Sequence, residues 1–166
     1  MRRWYVARVR AHQELRALTH LTRQGFGAWL PRLRETRRQA RNFETRISAL
    51  FPGYIFVEFD PSREQWRSVN GTFGVRSLIN RGGWPVPLPP GFVEALRARS
   101  DRNGVVGIGR TDLAPGDQIR VIAGPFVDCI GTLVSLDAYE RVTVLLNVLS
   151  GPTKVRVPAV SLAALH

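Results

Sequence analysis

The run Leu50-Phe51-Pro52-Gly53-Tyr54-Ile55-Phe56-Val57-Glu58-Phe59 is the strongest strand signal in the chain, and Asp60-Pro61-Ser62 stops it. Alternation places Tyr54, Phe56 and Glu58 on one face and Ile55, Val57 and Phe59 on the other. Both faces are apolar. A strand of this kind lies in a sheet covered on both sides, or it builds a core with one face and offers the other to a partner. In the second case Tyr54 and Phe56, with Phe51 nearby, line an exposed groove suited to a pair of helices.

The segments around this strand supply the rest of a sheet. Trp4 to Val9 is aromatic and β-branched and reads as a strand; Ala28 to Leu33 and Val75 to Ile79 are further strands. His12 to Gln24 has Leu15, Ala17, Leu18 and Leu21 on one face and Gly25 as a stop, which predicts an amphipathic helix. Ser62 to Val69 and Pro90 to Arg99 read as shorter helices. Together these predict an α+β fold, an antiparallel sheet flanked by helices.

Charge divides the chain. It carries a formal net charge of +11, from 23 arginines and the single Lys154 against 13 acids, which points to a polyanionic partner. Residues 1–110 hold 20 arginines and eight acids, whereas residues 111–166 hold four basic groups and five acids. Between them the glycines of Ser100 to Asp112 mark a linker, giving a first domain over 1–100, a linker over 101–112 and a second domain over 113–166. In the second domain, short strands Gln118–Ile122, Cys129–Leu136, Arg141–Leu149 and Lys154–Val157 alternate with turns and predict a small closed barrel. Hydrophobicity also allows a helix over Leu133 to Leu149; the β-branched residues and the glycines favour strands.

Enzyme chemistry finds little to work with. The histidines are His12, His20 and His166, and there is no Ser/His/Asp order, phosphate-binding loop or zinc-protease spacing. Cys129 is alone, which excludes an intrachain disulfide and a thiolate metal cluster. We therefore expect a non-enzyme with no catalytic residue, no metal and no cofactor. The first residues are too interrupted by arginine for a signal peptide, and no apolar run approaches the ~20 residues of a membrane span. The expectation is a soluble, cytoplasmic monomer.

Two groups of residues carry a resemblance. Gly116-Asp117-Gln118-Ile119-Arg120-Val121-Ile122-Ala123-Gly124-Pro125-Phe126, followed by Gly131-Thr132-Leu133-Val134, resembles the KOW motif. Trp4-Tyr5-Val6, Leu50 to Val57 and Val69-Asn70-Gly71-Thr72-Phe73-Gly74-Val75 resemble the N-terminal domain of the NusG family of transcription elongation factors. In this order the two cover nearly the whole chain. Leu50 to Pro61 and Leu145-Leu146-Asn147 resemble the specialised RfaH-type antitermination paralogues more than housekeeping NusG.

The resemblance implies a NusG-type N-terminal domain, a linker and an SH3-like KOW barrel. It implies that Phe51, Tyr54 and Phe56 bind the β′ clamp helices of RNA polymerase, and that Gln65, Trp66, Arg67 and Ser68 meet the β gate loop. It implies that Arg10, Gln13, Arg16, His20, Arg23 and the Thr72 loop contact the non-template DNA strand. Phe73 stands where the paralogues tend to carry arginine and would supply a base-stacking platform. The arginines at 32, 34, 37, 38, 41 and 46 form either a solvated hairpin or a phosphate-neutralising one. Phe126 would contact ribosomal protein S10 or the termination factor Rho, and an all-α state of the C-terminal domain, as in RfaH, is disfavoured by the turn residues. The function implied is suppression of pausing and termination, with Rho-coupled termination or ribosomal RNA binding by a KOW protein as alternatives.

Overall fold

The computed structural model describes residues 1–107, 130–131 and 133–150. The KOW motif through Phe126, Cys129, the strands at 118–122 and 154–157, and the last part of the linker lie outside them. The chain divides into two compact units, one of residues 1–31 and 51–90, the other of residues 32–50 and 91–166.

The first unit is built on an antiparallel four-stranded sheet of β1 (Arg3–Val9), β2 (Gly27–Trp29), β5 (Tyr54–Phe59) and β6 (Val75–Leu78), in the order β2-β5-β1-β6. Strand β5 is thus interior, as its two apolar faces require. Its register with β1 sets Arg3 opposite Phe59 and Arg8 opposite Tyr54. Helix α1 (Glu14–Arg23) follows β1. It ends in paired bonds from Gly25 N–H to Thr22 O and from Phe26 N–H to Leu21 O, which close the last turn. Ala17 and Leu21 of α1 pack with Ile55, Val57, Phe59, Tyr5, Val9, Phe26, Trp66 and Val69 in the core. Leu15, placed on the same face by the sequence, is instead 65% exposed; the buried stripe on α1 is narrower than the run of leucines suggests.

The helix expected over Ser62 to Val69 is a turn followed by a 3₁₀ segment, Trp66–Gly71. A short ribbon, β7 (Asn80–Arg81) and β8 (Trp84–Pro85), completes the unit. The sequence reading did not contain it.

In the second unit, β3 (Arg32–Gln39) and β4 (Asn42–Ala49) form a regular hairpin in full register from Arg32↔Ala49 to Gln39↔Asn42. This is the arginine-rich excursion. Strand β9 (Val105–Gly107), from within the segment read as linker, pairs in parallel with β3. Asp101 organises the turn before β9: its Oδ1 accepts from the N–H groups of Asn103 and Val105, and its Oδ2 pairs with Arg34 at 3.1 Å. Helix α2 (Phe92–Ala98) buries Phe92, Val93, Ala95 and Leu96, matching the helix expected near Pro90.

Residues 138–149 overturn the barrel strand expected at Arg141 to Leu149. Ala138–Leu149 is helix α3, with Val144, Leu145, Val148 and Leu149 buried. Asp137 caps it by accepting from Glu140 N–H at 2.8 Å. The strand expected at Cys129–Leu136 is not formed either: residues 130, 131 and 133 are helical and 134–136 a turn and bend. The other two expected barrel strands lie outside the described residues.

Candidate nucleic-acid interface

The basic flank of α1 meets the loop that precedes β6. Gly74 makes this approach close: its φ is +86°, and a Cβ added there would stand 2.9 Å from Gln13 O and 3.1 Å from Ala17 N. Its carbonyl accepts from Arg10 N–H at 2.8 Å. The loop is therefore held against the start of α1 by backbone contacts that tolerate no side chain at position 74.

Held in this way, the loop projects Phe73 outward, 62% exposed. The Arg16 guanidinium lies 4.9 Å from its ring centroid, and His20 meets it edge-on at 5.1 Å. Beside it is an open groove of about 440 Å³ lined by His20, Arg23, Gln24, Ser68, Gly71, Thr72 and Phe73. No carboxylate lines it. An exposed aromatic ring with the Arg16 guanidinium against it, and Arg23 lining the groove beside it, suits an unpaired base with its phosphates.

Of the residues expected to contact DNA, the structure gathers Arg16, His20, Arg23, Thr72 and Phe73 at this surface. Arg10 and Gln13 do not line the groove. Thr72 is buried, and its hydroxyl accepts from Gln24 Nε2 at 2.7 Å and donates to Ser68 O at 2.9 Å. Both bonds hold its side chain in place at the groove. Gln24 is the residue the sequence reading missed. Standing at the C-cap of α1 it is placed by the helix stop already legible at Gly25, but its bond to Thr72 spans 48 positions.

At two other expected sites the exposure differs from what the strand and helix patterns suggest. Phe51 and Phe56 are not exposed: both are buried, with Phe56 packed against Phe51 at 5.7 Å and Trp29 at 6.0 Å between ring centroids. Tyr54 alone of that trio is half-buried. Trp66 is buried and stacked on Phe59 at 6.4 Å, while Gln65, Arg67 and Ser68 are exposed. In the arginine hairpin Arg34 is paired with Asp101 and Arg32 donates to Asn103 O at 3.3 Å, so these two are engaged within the second unit. Arg41 and Arg46 are exposed.

Among the described residues no group of His, Cys, Asp and Glu is arranged to hold a metal. No helix among them is long and apolar enough to cross a membrane.

Comparison with known proteins agrees with the N-terminal motifs. The chain is similar to the transcription termination/antitermination protein NusG of Thermus thermophilus, 33% identical over 114 residues, covering 64% of this chain and 62% of that one. NusG of Deinococcus radiodurans is also 33% identical, over 126 residues, covering 64% and 63%. NusG of Staphylococcus aureus is 27% identical over 170 residues, covering 94% and 92%. The matched stretch thus spans less than two thirds of the Thermus and Deinococcus proteins. A solved structure titled "Domain interaction in Thermotoga maritima NusG" is similar with 22% identity and a TM-score of 0.40, over 58% of this chain and 54% of that one. These relatives carry the NusG name, and none of them supports the nearer likeness to RfaH-type paralogues. The model of the family described as transcription termination factor NusG matches residues 2–97, which include β1, α1, the Tyr54–Phe59 strand and the Phe73 loop, and the chain belongs to that family of non-enzymatic transcription factors.

Proposed function

We propose that this chain acts on elongating RNA polymerase as a termination/antitermination factor of the NusG type, and that its Phe73 groove faces the exposed non-template strand. The observation that carries this reading is the convergence of Arg16, His20, Arg23 and an exposed Phe73 on one acid-free surface of the family-matched unit. Guanidinium groups position phosphates, and the aromatic ring takes a base.

Docking on the β′ clamp helices through Phe51, Tyr54 and Phe56 belongs to the same proposal, and it requires a state in which the two phenylalanines are uncovered. In that state the added interface makes clamp opening more costly, so paused conformations are less populated. Gln65, Arg67 and Ser68 are the exposed residues for a gate-loop contact. Phe126 of the KOW segment would recruit Rho or ribosomal protein S10. The NusG names of the relatives favour a general role in which Rho is the partner.

A second reading, the RfaH-type antiterminator, is favoured by one observation: residues 138–149 are helical where a KOW barrel strand was expected. Elongation and termination assays with purified polymerase, with and without Rho, separate the two. The general factor enhances Rho-dependent release, whereas the specialised one suppresses it on templates bearing a recruiting element. Loss of both effects, with pausing unchanged by the protein, would overturn the proposal.

A further inference from the structure

Four aromatic rings step from the core of the first unit to its surface. Tyr5 stacks on Phe59 at 4.2 Å, Phe59 on Trp66 at 6.4 Å, and Trp66 meets Trp84 at 5.9 Å. The first three are buried; Trp84 is 61% exposed. The guanidinium of Arg67 lies 4.5 Å from the Trp66 centroid and 5.9 Å from that of Trp84. Trp84 stands on β8 directly opposite Arg81 of β7, and residues paired in this way share a face of the ribbon. The ribbon turns through Gly82 and Gly83 at φ +61° and +86°, a two-residue turn that favours glycine at both places. Pro85, next along, is buried and pins the ribbon to the unit.

The chemistry of this patch narrows its occupant. From Gln65 to Val93 the sequence contains Arg67, Arg76 and Arg81 and no Asp or Glu. The preceding acid, Glu64, is engaged by Arg2 and by the N–H of Asp60. An apolar helix would gain nothing from the guanidinium groups, and an acidic peptide would leave the indole face unused. A planar base carrying phosphates on either side uses both.

We propose that Trp84, flanked by Arg67 and Arg81, is a stacking platform for an unpaired base of single-stranded nucleic acid. It shares no lining residue with the Phe73 groove and does not depend on that groove's assignment.

The test is fluorescence anisotropy of the full chain with dye-labelled oligo(dT) and oligo(U) of about 12 nucleotides, a length within the reach of single-strand binding folds, and a duplex of the same length. Trp84→Ala is expected to weaken binding of at least one single strand by about fivefold or more, the stacking range, with duplex binding unchanged. The strand more affected identifies the source as DNA or RNA. Trp84→Phe should retain most of the affinity. Independently of any loss of fold, unlabelled oligonucleotide should quench the tryptophan fluorescence of the native chain, and this quenching should be largely lost in Trp84→Phe. Unchanged single-strand affinity in Trp84→Ala, an equal loss on duplex, or absence of quenching would each overturn the proposal. Phe73→Ala, measured in parallel, keeps the two readings apart, because each surface fails only with its own variant.

Discussion

The guanidinium of Arg141 donates from Nε to the carbonyl oxygen of Leu50 at 2.7 Å, tying α3 to the end of the β3–β4 hairpin across 91 positions of sequence. Its Nη1 donates to Leu136 O at 2.7 Å and stands 3.6 Å from a carboxylate oxygen of Glu35. Arg141 is 2% exposed, so both carbonyls depend on it for partners that water cannot replace. Arg141→Ala is expected to destabilise the second unit by about 3 kcal/mol, the cost of leaving buried acceptors and one member of a buried pair unsatisfied. Urea denaturation and amide exchange in residues 138–149 measure it. A loss below about 0.5 kcal/mol, the range of ordinary surface changes, would show that these bonds are not what seats the helix.

The same residue marks where the sequence stops being legible. Strand Tyr54–Phe59, helix α1 and helix α2 follow from periodicity and from stops that are local in the chain. Over Arg141 to Leu149 the β-branched Val142, Thr143, Val144 and Val148 argued for a strand, yet Asp137 and Glu140 stood at the spacing of a helix N-cap and its third residue. That cap is realised. What no local signal carries is the destination of Arg141, a carbonyl on a distant hairpin. The candidate site divides in the same way: α1 spacing brought Arg16, His20 and Arg23 together, whereas the burial of Thr72 and Trp66 depends on which core face each meets. The Trp84 ribbon was missed because its two-residue strands are too short for any periodicity.

Phe73 and Thr72 are adjacent, yet their substitutions should act on different quantities. Phe73→Ala removes an exposed ring that contributes little to the core, so stability should stay within about 0.5 kcal/mol while single-strand affinity falls by about 1–3 kcal/mol. Thr72→Val removes the acceptor of Gln24 and the donor to Ser68 O. It should cost about 1 kcal/mol of stability, with the smaller effect on affinity. Thermal unfolding and anisotropy on the same four samples, native, two single variants and the double, test the separation. If Thr72→Val lost more affinity than Phe73→Ala, the hydroxyl would be reading the ligand after all.

Gly74 couples the two properties. A methyl group there meets Gln13 O at 2.9 Å in a backbone at φ +86°, so both sterics and conformation oppose it. Gly74→Ala should cost about 2–4 kcal/mol, from about 1–2 kcal/mol of left-handed strain plus overpacking against α1. Because relief means moving the loop away from Arg16 and His20, single-strand affinity should fall together with stability. Retained native affinity in a destabilised Gly74→Ala protein would mean that the Phe73–Arg16 stack is not required for binding.

Acid should loosen the second unit at the turn before β9. The N–H of Val105 holds the Asp101 carboxyl below its ordinary range, against partial desolvation, and the N–H of Asn103 and the Arg34 guanidinium act in the same direction. A carboxyl with a depressed folded-state pKa stabilises fully above its unfolded value, about 3.9, and that contribution is lost as pH falls through the lower folded value. The pairing of Val105–Gly107 with Arg32–Arg34 should therefore persist at pH 5 and weaken below about pH 4, earlier than the rest of the hairpin. Amide exchange at Val105 and Val106 follows the event directly. Asp101→Asn keeps an acceptor for the two N–H groups but removes the charge facing Arg34, so it should abolish the acid-dependent step while lowering protection at neutral pH; an unchanged acid profile in that variant would assign the transition to another carboxylate.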